Sequence, residues 1–137
     1  MKASIFYRVA AVFLLLFAVG HTLGFRQSDP KWGVDALRAS MRSIHFDVQG
    51  FNRTYWDFYV GFGLFVSVFL LFAAVLAWQL GGLPQQDLPS IRGIAWAFAV
   101  SFIGVAFLSW RLFFAVPIIF SAAITVCLIS AAWLSSK

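Results

Sequence analysis

The sequence contains no glutamate, five aspartates and a single cysteine, Cys127. One cysteine excludes an intrachain disulfide and a thiolate-rich metal site, so Cys127 reads as a small core residue. Charged residues make up 11% of the chain, well below the roughly one quarter typical of soluble domains. No repeat or low-complexity tract divides the 137 residues, which read as one domain over 1–137. Nucleophilic catalysis lacks support too, because no serine or cysteine stands beside a base.

Apolar residues dominate instead: 62% of the chain is hydrophobic, with 17 phenylalanines and 6 tryptophans. Four apolar stretches fill residues 5–24, 58–78, 94–110 and 117–134. Each has the length a bilayer requires of a helix, about 20 residues within a range of roughly 17–25. A domain this small buries too little of its surface to hide so much apolar area, so lipid must cover the rest. The pattern predicts an all-α membrane protein: an antiparallel bundle of four transmembrane helices near 4–24, 55–80, 91–110 and 113–134. Lys2 and Arg8 ahead of the apolar run 9–19 give the start the look of a signal peptide. No small-x-small cleavage pattern follows cleanly and three more spans come later, so it reads as the first transmembrane helix.

Residues 25–53 are the one sizeable polar segment. Asp29-Pro30 is a good helix start, with Asp as N-cap and Pro in the first turn. Val34, Leu37, Met41 and Ile44 recur at helical spacing, with Asp35, Arg38 and Arg42 on the other side. That pattern predicts an amphipathic helix that lies in the interface or covers the bundle as a lid, with Gly50 ending the segment. Thr54 and Asp57 have the spacing of a capping box for the second span, and Gly81-Gly82 stop it. Pro117 fits the first turn of the fourth span, which ends near Trp133 with Ser135, Ser136 and Lys137 outside. Small residues suited to close helix packing recur: Gly20 and Gly24, Gly63 and Ser67, Ala73 and Ala77, then Ala97, Ser101, Gly104 and Ala106.

The net charge of +5 would suggest nucleic acid in a soluble protein. Here the basic residues sit at helix ends, where they snorkel toward lipid phosphates, and no nucleic-acid partner is expected. Lys2, Arg8, Arg92 and Lys137 fall on one membrane face; Arg26, Lys31, Arg38, Arg42, Arg53 and Arg111 fall on the other. That division leaves the orientation open.

An up-and-down chain brings the end of the first span, the start of the second and the junction of the last two to one face, which the 25–53 segment also crosses. Most polar residues of interest fall there: His21, His45, Asp47, Arg53, Tyr55, Asp57, Tyr59, Ser109 and Arg111. His21 lies about one turn inside the boundary, and ionisable groups at such depth are functional candidates. The candidate ligand-binding set is His21, Arg53, Tyr55, Trp56, Asp57, Tyr59 and Arg111. Each also has a plain structural role: Asp57 as a cap, Tyr55, Trp56 and Tyr59 as an aromatic belt, Arg111 as a snorkelling anchor. His21 and Asp57 are the candidate catalytic pair, since such groups can shuttle a proton. A bis-histidine haem would need His21 and His45; the position of His45 in the lid segment, off any facing helix, counts against it. No metal site is expected.

The residues Gly20-His21-Thr22-Leu23-Gly24, residues 46–50, and the run from Arg53-Thr54-Tyr55-Trp56-Asp57 through Gly63 resemble a family of small, uncharacterised four-span bacterial membrane proteins. The resemblance covers essentially the whole chain. It implies a four-helix protein of the bacterial cytoplasmic (inner) membrane and supplies no activity or cofactor. Three roles stand open. The first is binding of a lipid, quinone or isoprenoid in a polar pocket on the 25–53 face. The second is a membrane enzyme that moves a proton on such a ligand. The third is a structural role, as a homo-oligomer or as a subunit of a larger membrane complex.

Overall fold

The computed structural model describes residues 2–136. Five α-helices form: α1 (Ala3–Gly24), α2 (Asp35–Ser43), α3 (Tyr55–Leu80), α4 (Arg92–Leu112) and α5 (Ala115–Ser135). Two short strands, β1 (His45–Val48) and β2 (Phe51–Thr54), pair between α2 and α3. Helices α1, α3, α4 (with the 3₁₀ turn before it) and α5 are each long and apolar enough to cross a membrane. An uninterrupted helix satisfies its own backbone hydrogen bonds, which lipid cannot do for it. The fold is all-α, as its hydropathy pattern predicts. Lys137, expected outside the last helix, lies beyond the described residues.

The chain forms two compact units. One takes the chain up to Phe17 and again from Leu70; the other is Ala18–Phe69. In the first, α1 runs antiparallel to α5: Tyr7 meets Ser135 at 3.3 Å, and Phe17 stacks on Phe120 at 5.4 Å. Helices α4 and α5 are also antiparallel. Thr125 donates to the Phe102 carbonyl at 2.9 Å, and Trp96 Nε1 donates to Ser136 Oγ at 3.2 Å. At Gly81 a Cβ would lie 3.1 Å from the Ser4 carbonyl oxygen, so glycine permits the chain to pass close to α1 there.

Three expectations about packing are corrected. Gly20 and Gly24 meet no other part of this chain, and the glycines that have a neighbour within it are Gly63, Gly81 and Gly82. Helix α4 turns Ala97, Ser101 and Gly104 outward and buries Ala95, Phe98, Ala99 and Phe102, so the side its neighbours occupy, not residue size, sets its packing face. Ser135 belongs to the helix and is buried, held by Tyr7 and the Ala131 carbonyl.

In the Ala18–Phe69 unit, the end of α1 packs antiparallel to the start of α3. Thr22 Oγ1 donates to Ser67 Oγ at 2.8 Å and to the Ala18 carbonyl at 2.7 Å. The amphipathic helix expected within residues 25–53 is α2, at nine residues shorter than the three or four turns its spacing suggests, and a 3₁₀ turn and a hairpin flank it. Asp29 does cap a helical turn, accepting from the Lys31 N–H at 2.8 Å, but that turn is a three-residue 3₁₀ helix, Pro30–Trp32. Gly33 stops it in the left-handed region at φ 64°. After α2, the alternation His45, Phe46, Asp47, Val48 has the period of a strand, and Gln49 (φ 52°) with Gly50 (φ 84°) makes a two-residue turn. Positive φ at both positions matches the twist of a tight hairpin. Gly50, expected to end the segment, instead turns the hairpin, and the segment continues through β2 to Thr54.

Candidate functional site

The face crossed by residues 25–53 is built around Trp56, in the first turn of α3. Arg42 lies over its ring at 4.1 Å and Arg38 at 5.3 Å. Both belong to α2, four residues apart, so the helix presents them on one side. Arg38 is fixed further: one guanidinium nitrogen donates to the Arg26 carbonyl at 2.7 Å and another donates to Ser28 Oγ. Tyr59, one turn after Trp56, packs against it at a tilt, with centroids 5.3 Å apart, and donates its hydroxyl to the Phe25 carbonyl. Residues 25–28 are thereby tied to both α2 and α3.

A shallow groove of about 210 Å³ opens among these elements. Its walls include Trp32, Val34, Met41, Trp56 and Tyr59; Arg26, Ser28 and Arg38 supply its polar atoms. Among the described residues no arginine forms an ion pair with a carboxylate. Three nearby acids are engaged elsewhere, Asp29 with the Lys31 N–H, Asp47 with Asn52 and Asp57 with Thr54, and Asp35, in the first turn of α2, is exposed. Among the described residues the one partner of Arg42 is the Trp56 ring. The groove thus combines an apolar, aromatic wall with guanidinium groups that, among the described residues, no carboxylate pairs directly. Planar guanidinium forks of this kind suit phosphate oxygens.

His21 and Asp57 are not bonded to each other. His21 Nε2 meets the Gly63 carbonyl at 3.0 Å; because a carbonyl only accepts, Nε2 carries the hydrogen. The imidazole also stacks on Phe25, with centroids 5.2 Å apart. Gly63 lies about two turns deeper along α3 than Asp57. Asp57 instead closes the capping box that its spacing predicts. Asp57 Oδ2 accepts from the Thr54 N–H at 2.8 Å and Thr54 Oγ1 at 2.9 Å, and the Asp57 N–H donates to Thr54 Oγ1 at 3.1 Å.

The remaining candidates divide between two places. Arg53 and Tyr55 belong with the hairpin: Arg53 lies over Phe51 at 5.3 Å, and Tyr55 packs on Phe46 at 5.0 Å. Arg111 lies in the last turn of α4, in the other unit, exposed and over Trp110 at 5.9 Å. His45 bonds Asn52 Oδ1 across the hairpin at 2.8 Å, while His21 is bonded inside α3, so the two histidines have separate settings. Among the described residues no three His, Cys, Asp or Glu side chains converge as a metal would require. Of the sequence-derived set, only Trp56 and Tyr59 line the groove. The other residues that line it are Arg26, Gln27, Ser28, Trp32, Val34, Leu37, Arg38 and Met41, while Arg42 lies on the Trp56 ring outside that lining.

The capping box makes a separable prediction. Thr54→Ala, at a buried position, should cost about 1 kcal/mol of stability, typical of a lost cap. Asp57→Asn keeps an oxygen for the Thr54 N–H and should fold with a melting midpoint near that of the parent. Thermal unfolding in detergent followed by circular dichroism checks both. If Asp57→Asn unfolds as badly as Thr54→Ala, the charge of Asp57 is doing more than capping.

The chain matches no family model, no curated protein and no solved structure.

Proposed function

We propose that this is an integral protein of the bacterial inner membrane that holds a lipid-like molecule by its phosphate-bearing head group. The head group would sit in the groove beside Trp56, with Arg38 and Arg26 lining it, Arg42 adding its charge from the Trp56 ring, and the tail in the surrounding lipid. The observation that carries this reading is the pair of arginines over Trp56 that, among the described residues, no carboxylate pairs. Arginine already held on an aromatic face loses little freedom when it binds an anion. Cationic groups favour a phospholipid or isoprenoid phosphate over a neutral quinone. The four long apolar helices and the resemblance to four-span bacterial proteins support the location. Extraction of lipid from the purified protein tests the reading: anionic lipid should be enriched over its share of the source membrane. A co-purifying pool identical to bulk lipid contradicts it.

A second reading, as a homo-oligomer or a subunit of a membrane complex, draws on one observation. Helix α4 presents Gly93, Ala97, Ser101 and Gly104 outward, with no protein atom within 4 Å of a Cβ placed at either glycine. Such a surface lets a second helix approach closely. Native mass spectrometry of the detergent-extracted protein separates the two, because a strict monomer without co-purifying protein leaves only the lipid-binding role. Proton-transfer catalysis by His21 and Asp57 gains no support from their separate bonding.

A further inference from the structure

The β1–β2 hairpin has two chemically distinct faces. Register pairs His45 with Thr54, Phe46 with Arg53, Asp47 with Asn52 and Val48 with Phe51. Alternation then places His45, Asp47, Asn52 and Thr54 on one face and Phe46, Val48, Phe51 and Arg53 on the other. The polar face is cross-linked: His45 Nδ1 bonds Asn52 Oδ1 at 2.8 Å, and Asn52 Nδ2 donates to Asp47 at 3.1 Å. The apolar face is largely uncovered, with Phe51 61% exposed.

That face does not end at the hairpin. No residue separates β2 from α3, and Phe46 folds back onto the first turn of α3, 5.0 Å from Tyr55 and 5.8 Å from Phe58. Phe58 then meets Phe62 at 6.3 Å, and Phe62 meets Phe65 at 6.5 Å. Phe62 and Phe65 are more than 60% exposed on a helix apolar enough to span a bilayer, so their partner is lipid. The hairpin's aromatic face continues this lipid-facing row.

We infer that the hairpin is a membrane-contacting element whose apolar face rests in the head-group–acyl boundary, held by Phe46, Val48 and Phe51. Arg53 on the same face meets lipid phosphates, and His45, Asp47 and Asn52 face water. Two features set the depth. The open edges of a two-stranded sheet cannot enter hydrocarbon, where their backbone groups would have no partner. The contact of Phe46 with the first turn of α3 keeps the hairpin from rising clear of the surface. This inference requires the chain to sit in a bilayer and does not depend on what the Trp56 groove binds.

Spin labels test it. Single-cysteine variants Val48→Cys, Phe51→Cys, Asp47→Cys and Asn52→Cys, each in a Cys127→Ala background, would be reconstituted in phosphatidylethanolamine–phosphatidylglycerol vesicles. Phe65→Cys serves as the lipid-facing reference. The ratio of oxygen accessibility to nickel-chelate accessibility should be several-fold higher at 48 and 51 than at 47 and 52, and should approach the value at 65. Val48 and Phe51 decide the matter on their own should the polar-face variants perturb the His45–Asn52–Asp47 bonds. High nickel accessibility at 48 and 51 would place the hairpin in water and overturn the inference. Shielding of both sites from oxygen and nickel alike would mean that protein covers the face, and would overturn it equally.

Discussion

Replacing Gly63 by alanine is expected to destabilise the Ala18–Phe69 unit by about 1–3 kcal/mol, the range for overpacking a filled site. A Cβ at this position would overlap the ring of Phe25. That ring is not free to swing aside, because it stacks on His21 at 5.2 Å and packs on Tyr59 at 6.0 Å. The backbone of Phe25 also accepts the Tyr59 hydroxyl. Moving Phe25 therefore disturbs the His21 stack and the tie that holds residues 25–28 against α3. Gly61→Ala is the control: two residues away on the same helix, it meets nothing within 4 Å and should be close to neutral. Unfolding midpoints of the two variants in the same detergent check the contrast. Equal midpoints would mean that the Phe25–Gly63 packing does not hold this unit together.

Trp56→Ala should weaken binding of anionic lipid roughly tenfold, equivalent to about 1.4 kcal/mol. The ring is the platform for both Arg38 and Arg42, and a cation over an indole is worth about 0.5–1 kcal/mol at exposed sites and about 2 when desolvated. Without it, Arg42 loses its one partner among the described residues and must be ordered by the ligand itself. Arg38 keeps its bonds to Arg26 and Ser28 and should retain part of its contribution. Trp56→Phe preserves an aromatic face with a weaker quadrupole and should fall between the two. Lipid titrations monitored by native mass spectrometry give the three affinities. If Trp56→Ala binds like the parent protein, the stacked arginines are not the recognition element.

Hydropathy made the four long helices legible because lipid demands length and apolarity whatever the sequence details. The Thr54–Asp57 box was equally readable, since capping depends on residues three apart. The hairpin was harder to read: its strands are four residues each, and the helical spacing from Val34 to Ile44 runs straight into them. The alternation of 45–48 and the Gln49-Gly50 turn were the available signals. Packing faces were the least legible. Small residues on α4 and at Gly20 and Gly24 suggested close contacts, but burial depends on which side of each helix its neighbours occupy, and a single sequence carries no such information. The groove was half visible for the same reason. Trp56 and Tyr59 stood out as aromatic residues at a boundary. Arg38 and Arg42 read as the solvated side of an amphipathic helix, yet the structure folds that side onto Trp56 and leaves Leu37 and Ile44 exposed.

The most direct test of the lipid-binding account compares two lipids that differ in head-group charge. Native mass spectrometry would measure binding of phosphatidylglycerol and phosphatidylcholine to the intact protein and to an Arg38→Gln/Arg42→Gln double variant. The account predicts a clear preference for phosphatidylglycerol in the parent protein, and its loss in the double variant while binding of phosphatidylcholine stays the same. Equal binding of the two lipids by the parent protein, or an undiminished preference without the arginines, would contradict it.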